Sequence, residues 1–151
     1  MTKSATTKYV LTMTEEQTKT LVNSLDLAIR IRMGQWGEIV EQCMKFERGD
    51  VEGWCKRRDE AEAILLRARD IIMPELADMH SLSGGHGVYA QEITERAYNV
   101  LLAVRSCIAY HDKPEGGYTV NFNKPMAIHV AEEMPKCEVV EDERPNQKSR
   151  E

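Results

Sequence analysis

Apolar residues return every third or fourth position through four stretches of this 151-residue chain, and that period commits most of it to packed helices. The first stretch opens on Thr14-Glu-Glu-Gln17, the Thr-x-x-Gln form of a capping box, which satisfies backbone N–H groups left unpaired where a helix starts. Leu21, Leu25, Ala28 and Ile29 carry the stripe to Met33, and Gly34 suits the left-handed residue that ends many helices. Trp36, Ile39, Val40, Cys43 and Met44 make a second stripe, closed at Arg48-Gly49. Asp50 stands where it can cap a third helix bearing Trp54, Ala61, Ile64, Leu65, Ala68, Ile71 and Ile72. Pro74 kinks or stops that helix, because proline has no N–H to donate. A fourth helix, from about Ala90 to Tyr110, places Ile93, Ala97, Val100, Leu101, Val104 and Ile108 on one face. Tyr98, Leu102 and Ala109 widen that face beyond what one neighbouring layer needs, which points to a central helix or one shared in a homo-oligomer.

Two further segments, Tyr9-Val-Leu-Thr-Met13 and Tyr118-Thr-Val-Asn-Phe122, have the β-branched and aromatic content of strands. Isolated strands are marginal, so the economical arrangement pairs these two, antiparallel, near the two ends of the domain. The expected architecture is α+β and predominantly α: four helices closed by a two-stranded antiparallel pair over residues 9–125. Residues 1–8 are expected to be a disordered N-terminus and residues 126–151 a disordered acidic tail. The tail holds 4 basic and 7 acidic side chains, against 16 and 18 in residues 1–125, and shows neither a helical nor an alternating period. Such a segment buries too little apolar surface to offset its ordering entropy.

The longest apolar run, Val100 to Val104, is far short of a membrane span, and the N-terminal residues have no apolar core of the kind a secretory signal carries. A net charge of −5 argues against a binder of polymeric nucleic acid, which carries a basic face. Cys43, Cys55, Cys107 and Cys137 form no C-x-x-C, and three of them lie in helical stretches, so reduced thiols in a cytoplasmic protein are expected.

Three pieces together carry a family resemblance. Met33-Gly-Gln35 ends the first helix soon after the strand and the Thr-Glu-Glu-Gln opening, Gly87 and Glu92 flank the last helix, and Pro114-Glu-Gly-Gly117 leads into Val120-Asn-Phe-Asn-Lys-Pro125. Over about residues 9–125 this resembles a family of small, largely uncharacterised proteins of phage and prophage genomes. The resemblance implies a setting: small accessory phage proteins often act against host defence, and one strategy is to sequester the nucleotide signals that those defences produce.

That setting directs attention to groups able to hold a nucleotide, which needs cations for phosphates and a flat ring for the base. The loop Gly84-Gly-His-Gly87 precedes a helix start, where free N–H groups favour an anion, although it matches neither a Walker A loop nor a dinucleotide fingerprint. Trp36, Trp54, Tyr89 and Tyr110 are the candidate stacking rings; Arg30, Arg32, Arg57, Arg58, Arg96 and Arg105 are the candidate cations. Arg105 stands out because it interrupts an apolar helix, where a guanidinium must find a carboxylate, a subunit partner or an anionic ligand. The candidate ligand set is thus Arg105, Tyr89, His86, Gly87, Arg96, Trp36 and Tyr110, in a non-catalytic protein without cofactor. The plainer assignment makes the tryptophans core residues and pairs the arginines with nearby acids, as Glu92 and Arg96 can at i,i+4. Lys56-Arg-Arg58 is followed by Asp59-Glu60 and reads as a solvated face. Cys107 and His111 share a helical face, but nothing completes a zinc set.

Two other functions remain open at this level. Glu38-x-x-Glu41 and Glu75-x-x-Asp78 resemble the paired carboxylates with which all-α pyrophosphohydrolases of the MazG and dimeric dUTPase type hold Mg²⁺ on a nucleotide, although the spacing between pairs is long and Pro74 interrupts the second helix. A protein-binding inhibitor of a host defence factor, working through the acidic tail, is the other.

Overall fold

A computed structural model describes residues 9–46, 48–122 and 133–140. Among them are four α-helices: α1 (Glu15–Met33), α2 (Gly37–Cys43), α3 (Val51–Ile72) and α4 (Glu92–Asp112). The caps fall where the sequence places them. Thr14 and Gln17 complete the capping box, Gly34 takes the left-handed conformation at φ 87°, and Asp50 accepts from the Gly53 amide. Proline stops α3 at Ile72, and Pro74–Leu76 continues as a single 3₁₀ turn.

The expected β pair is absent: no strand occurs among the described residues, and the domain is helical rather than α+β. Residues 9–13 run without regular structure, with Tyr9, Val10 and Leu11 exposed. At the other end Gly116, at φ 83°, turns the chain back, and Val120–Phe122 closes into a 3₁₀ turn against α4. There Tyr110 donates to the Phe122 carbonyl at 3.2 Å, and the two rings meet edge to face at 5.2 Å. Local packing on α4 thus takes the residues that a strand would have used.

The core lies where α1 crosses α4 and where the chain between α3 and α4 folds under them. Ile29, Val40, Leu101, Ala103 and Val104 are buried there, joined by Leu76 and Leu82. α3 packs on α2 and on the Pro74–Leu76 turn, and Ile64, Ile71 and Ile72, expected in the apolar stripe, stay more than half exposed on its outer side.

One arginine organises the connection from α3 to α4. The Arg69 side chain is fully buried, and its guanidinium donates to the carbonyls of Leu76 (3.2 Å), Met79 and Ser81 (2.6 Å) and to the Asp70 carboxylate (2.9 Å). A buried cation is tolerable only with such a complete set of acceptors, so Arg69 fixes the path of residues 76–81. Two glycines let this connection close on α1. A Cβ at Gly34 would collide with Leu76, and one at Gly85 with the Met33 carbonyl oxygen, beside which the His86 amide donates to that same oxygen at 2.7 Å.

Candidate functional site

The connection pinned by Arg69 forms one wall of a cleft of about 640 Å³, and α1, α2 and α3 form the others. This lies within the usual size range of small-molecule sites. His80, Ser81 and Ser83 come from the connection, Arg30 from α1, Glu38 and Glu41 from α2, and Arg58, Asp59 and Glu62 from α3. On α2 and on α3 the two carboxylates are three residues apart and therefore share a face.

Two guanidiniums reach from one wall to the next. Arg58 bridges the helices, donating to Glu62 at 2.8 Å and to Glu41 at 2.9 Å, with its charge 5.6 Å from the centre of the Trp54 ring. The Glu62 hydrogen bond and the neighbouring carboxylates push Arg58 further toward its charged form. Arg30 bonds Asp26 at 2.8 Å, Glu38 at 3.2 Å and Gln35 at 3.3 Å. With four carboxylates against two guanidiniums, the lining carries a formal −2 when His80 is neutral. Each cation is already paired with two carboxylates, Arg58 with Glu41 and Glu62 and Arg30 with Asp26 and Glu38.

Of the seven sequence-predicted ligand residues, the six other than Tyr89 do not converge on one point. Arg105 meets the Asp26 carboxylate at 3.1 Å, forming with Arg30 an Arg–Asp–Arg relay that ties α4 to α1. Its carboxylate partner is therefore within the chain. Arg96 pairs with Glu92 one turn away at 3.1 Å. Trp36 donates from its indole to the Ile31 carbonyl at 2.9 Å, and Tyr110 is engaged with Phe122. His86 faces Glu75 at 3.0 Å, and that hydrogen bond holds the Glu75 carboxyl below its usual range. Gly87 precedes the 3₁₀ turn Val88–Ala90, which contains Tyr89; the Tyr89 side chain lies outside the described part. Arg96 and Tyr110 are fourteen residues apart on one helix, roughly 21 Å, too far for one small ligand.

The glycine loop does not abut a helix start either. The 3₁₀ turn separates it from α4, whose first turn carries Glu92 and Glu95, and the Gly84 and His86 amides donate to the Ser81 and Met33 carbonyls. The expected second carboxylate pair is likewise parted: Glu75 lies in the 3₁₀ turn Pro74–Leu76, and Asp78 follows the turn. Its place opposite Glu38 and Glu41 is taken by Asp59 and Glu62. In the sequence Asp59 falls in the stretch that reads as a solvated face, although its three-residue spacing to Glu62 matches that of Glu38 and Glu41. Among the described residues no group of three or more His, Cys, Asp or Glu side chains stands ready to hold a metal ion. No described helix is long and apolar enough to cross a membrane.

No family model, no curated protein and no solved structure matches this chain.

Proposed function

We propose that the cleft between α1, α2 and α3 binds a small phosphorylated ligand rich in hydroxyls, of the nucleotide class, and that the protein holds this ligand rather than converting it. The observation that carries the proposal is the placing of Arg30 and Arg58 on facing walls of one cleft, each already bound to carboxylate oxygens. Two oxygens of a phosphate can accept from the guanidinium fork as the two oxygens of a carboxylate do. The displaced carboxylates then face the ligand as acceptors for ribose hydroxyls, a pairing familiar from dinucleotide sites. In the setting that the phage resemblance implies, such a protein removes a nucleotide-derived host-defence signal from circulation.

A second reading, Mg²⁺-dependent pyrophosphohydrolysis, is favoured by the facing pairs Glu38/Glu41 and Asp59/Glu62. It requires Arg58 to leave Glu41 and Glu62 so that a cation can take its place between them.

Calorimetric titration of a panel of cyclic dinucleotides, ADP-ribose and nucleoside triphosphates into wild type and Arg58→Gln tests the site. The variant is expected to lose at least tenfold in affinity for whichever compound binds, with its urea midpoint little changed because Arg58 is solvent-accessible. Equal affinity in the two proteins would place the ligand elsewhere.

A further inference from the structure

α3 runs for 22 residues, about 33 Å, yet among the described helices and turns it packs only on α2 and on Pro74–Leu76. The side it turns to these neighbours carries Arg58, bonded to Glu41, and Arg69, bonded to the Leu76 carbonyl. A different side carries Ala61, Ile64, Ala68 and Ile71, three and four residues apart as in the seam of a two-helix coil. Ile64 and Ile71 are 62% and 73% exposed there, and Ile72 beside them is 65% exposed. A continuous apolar stripe rimmed by charge marks a contact surface.

We propose that this stripe is the interface of a homodimer in which α3 of one copy lies antiparallel on α3 of a second, about a two-fold axis. Such an axis requires a surface that complements itself, and this one does. Aligned antiparallel over nearly their full length, the helices set Ile64 of each copy against Ala61 of the other, so a large side chain meets a small one twice. The same register brings Glu60 of each copy opposite Arg67 of the other. Both are exposed on the rim of the stripe, and neither has an ion-pair partner among the described residues. At the ends, Ile71 and Ile72 come to Gly53 and Trp54 of the other copy, where Phe46, 55% exposed, packs edge to face on Trp54. A parallel pair would instead set Glu60 and Arg67 against Leu65 and Ile72 and leave both charges unmatched.

The area fits a reversible dimer more than a permanent one. Two helices in contact over this length cover on the order of 1,000 Å², the low end of what specific interfaces bury, so association in the micromolar range is expected. Arg58, Asp59 and Glu62 line the cleft from another side of α3, so the pairing leaves the cleft open and stands or falls apart from any ligand.

The test is sedimentation velocity of the full chain, under reducing conditions, from about 1 µM to about 200 µM. The 17.2 kDa monomer is expected to give way to a species of twice that mass as concentration rises. Ile64→Glu, an exposed substitution, puts two carboxylates into the seam and weakens dimerisation by roughly a hundredfold or more, with the circular dichroism of the monomer unchanged. Glu60→Arg and Arg67→Glu each set like charges opposite one another and weaken it about tenfold, and the double variant returns to within about threefold of wild type. These rim variants decide the register even where Ile64→Glu disturbs the helix. A monomer throughout the range, a dimer indifferent to Ile64→Glu, or a double variant no tighter than the two single ones would each overturn the proposal.

Discussion

Replacing Arg69 by methionine removes the charge that holds the connection between α3 and α4 while keeping the aliphatic part of the side chain. Arg69 is 0% exposed and makes hydrogen bonds to three carbonyls and one carboxylate. Hydrogen bonds from a charged donor contribute about 1.5–3 kcal/mol each, but not all of that is lost in the variant. Met79 and Ser81 are exposed residues, so water can reach their freed carbonyls. Leu76 is 1% exposed, its carbonyl bond is buried, and leaving that acceptor unpaired costs about 1–3 kcal/mol. Asp70, with a side chain 30% exposed, also loses its partner. Together these give a destabilisation of about 3–4 kcal/mol, consistent with breaking a buried charge pair. For a chain of this length that lowers Tm by roughly 8–14 °C. Urea unfolding followed by circular dichroism, with unchanged slope, measures the loss. Arg69→Lys is expected to recover less than half of it, since one ammonium group cannot span three carbonyls as the guanidinium fork does. A loss below about 1 kcal/mol in the methionine variant would show that the connection is held by Leu76 and Leu82 rather than by Arg69.

Gly85→Ala puts a methyl group against the Met33 carbonyl oxygen, and about 1–3 kcal/mol of destabilisation is expected, with faster hydrogen exchange at the His86 amide as the local readout. Asp26→Asn weakens the carboxylate shared by Arg30 and Arg105; all three side chains are 20–39% exposed, so the loss is held to about 1 kcal/mol, and a double-mutant cycle with Arg105→Ala reports the coupling. The Glu75 carboxyl titrates below 4.5 because of His86, so His86→Ala is expected to return it toward that value in an NMR titration. The sign follows from linkage: with the folded-state value lowered, the contact contributes above about pH 4.5 and is lost as pH falls through the folded value.

The helices were legible because their signals are local. Thr14, Gly34, Asp50 and Pro74 each act within a turn of their own position, and the boundaries of α1 and α3 fall beside them. The two strands failed for the opposite reason. A strand segment is decided by its partner, and Phe122 packs on Tyr110 of α4 while Val120 lies in a 3₁₀ turn instead of pairing with residues 9–13. For the cleft, the sequence marks Glu38 and Glu41 as a pair but points to Glu75 and Asp78 as their counterpart, beyond a proline that unmakes the helical face those two need. Nothing local in the sequence separates Arg69 from Arg105. Arg69 follows Leu65 and Leu66 by four and three residues, the same interruption of an apolar stripe that drew attention to Arg105. Which of two such arginines becomes fully buried depends on a connection twelve residues downstream, at Ser81, and that is settled only in three dimensions.

The binding claim is tested most directly by mass balance. Purified protein is incubated with nucleotide-derived signals in the presence and absence of Mg²⁺, the free pool is filtered off, the retained protein is heat-denatured, and both fractions are resolved by HPLC. The account predicts that one phosphorylated compound leaves the free pool in proportion to the protein added and returns chemically intact on heating, and that Arg58→Gln leaves it in the filtrate. Conversion to a new species, dependent on Mg²⁺ and lost in Glu41→Gln, would contradict retention without turnover and assign the facing carboxylates to catalysis.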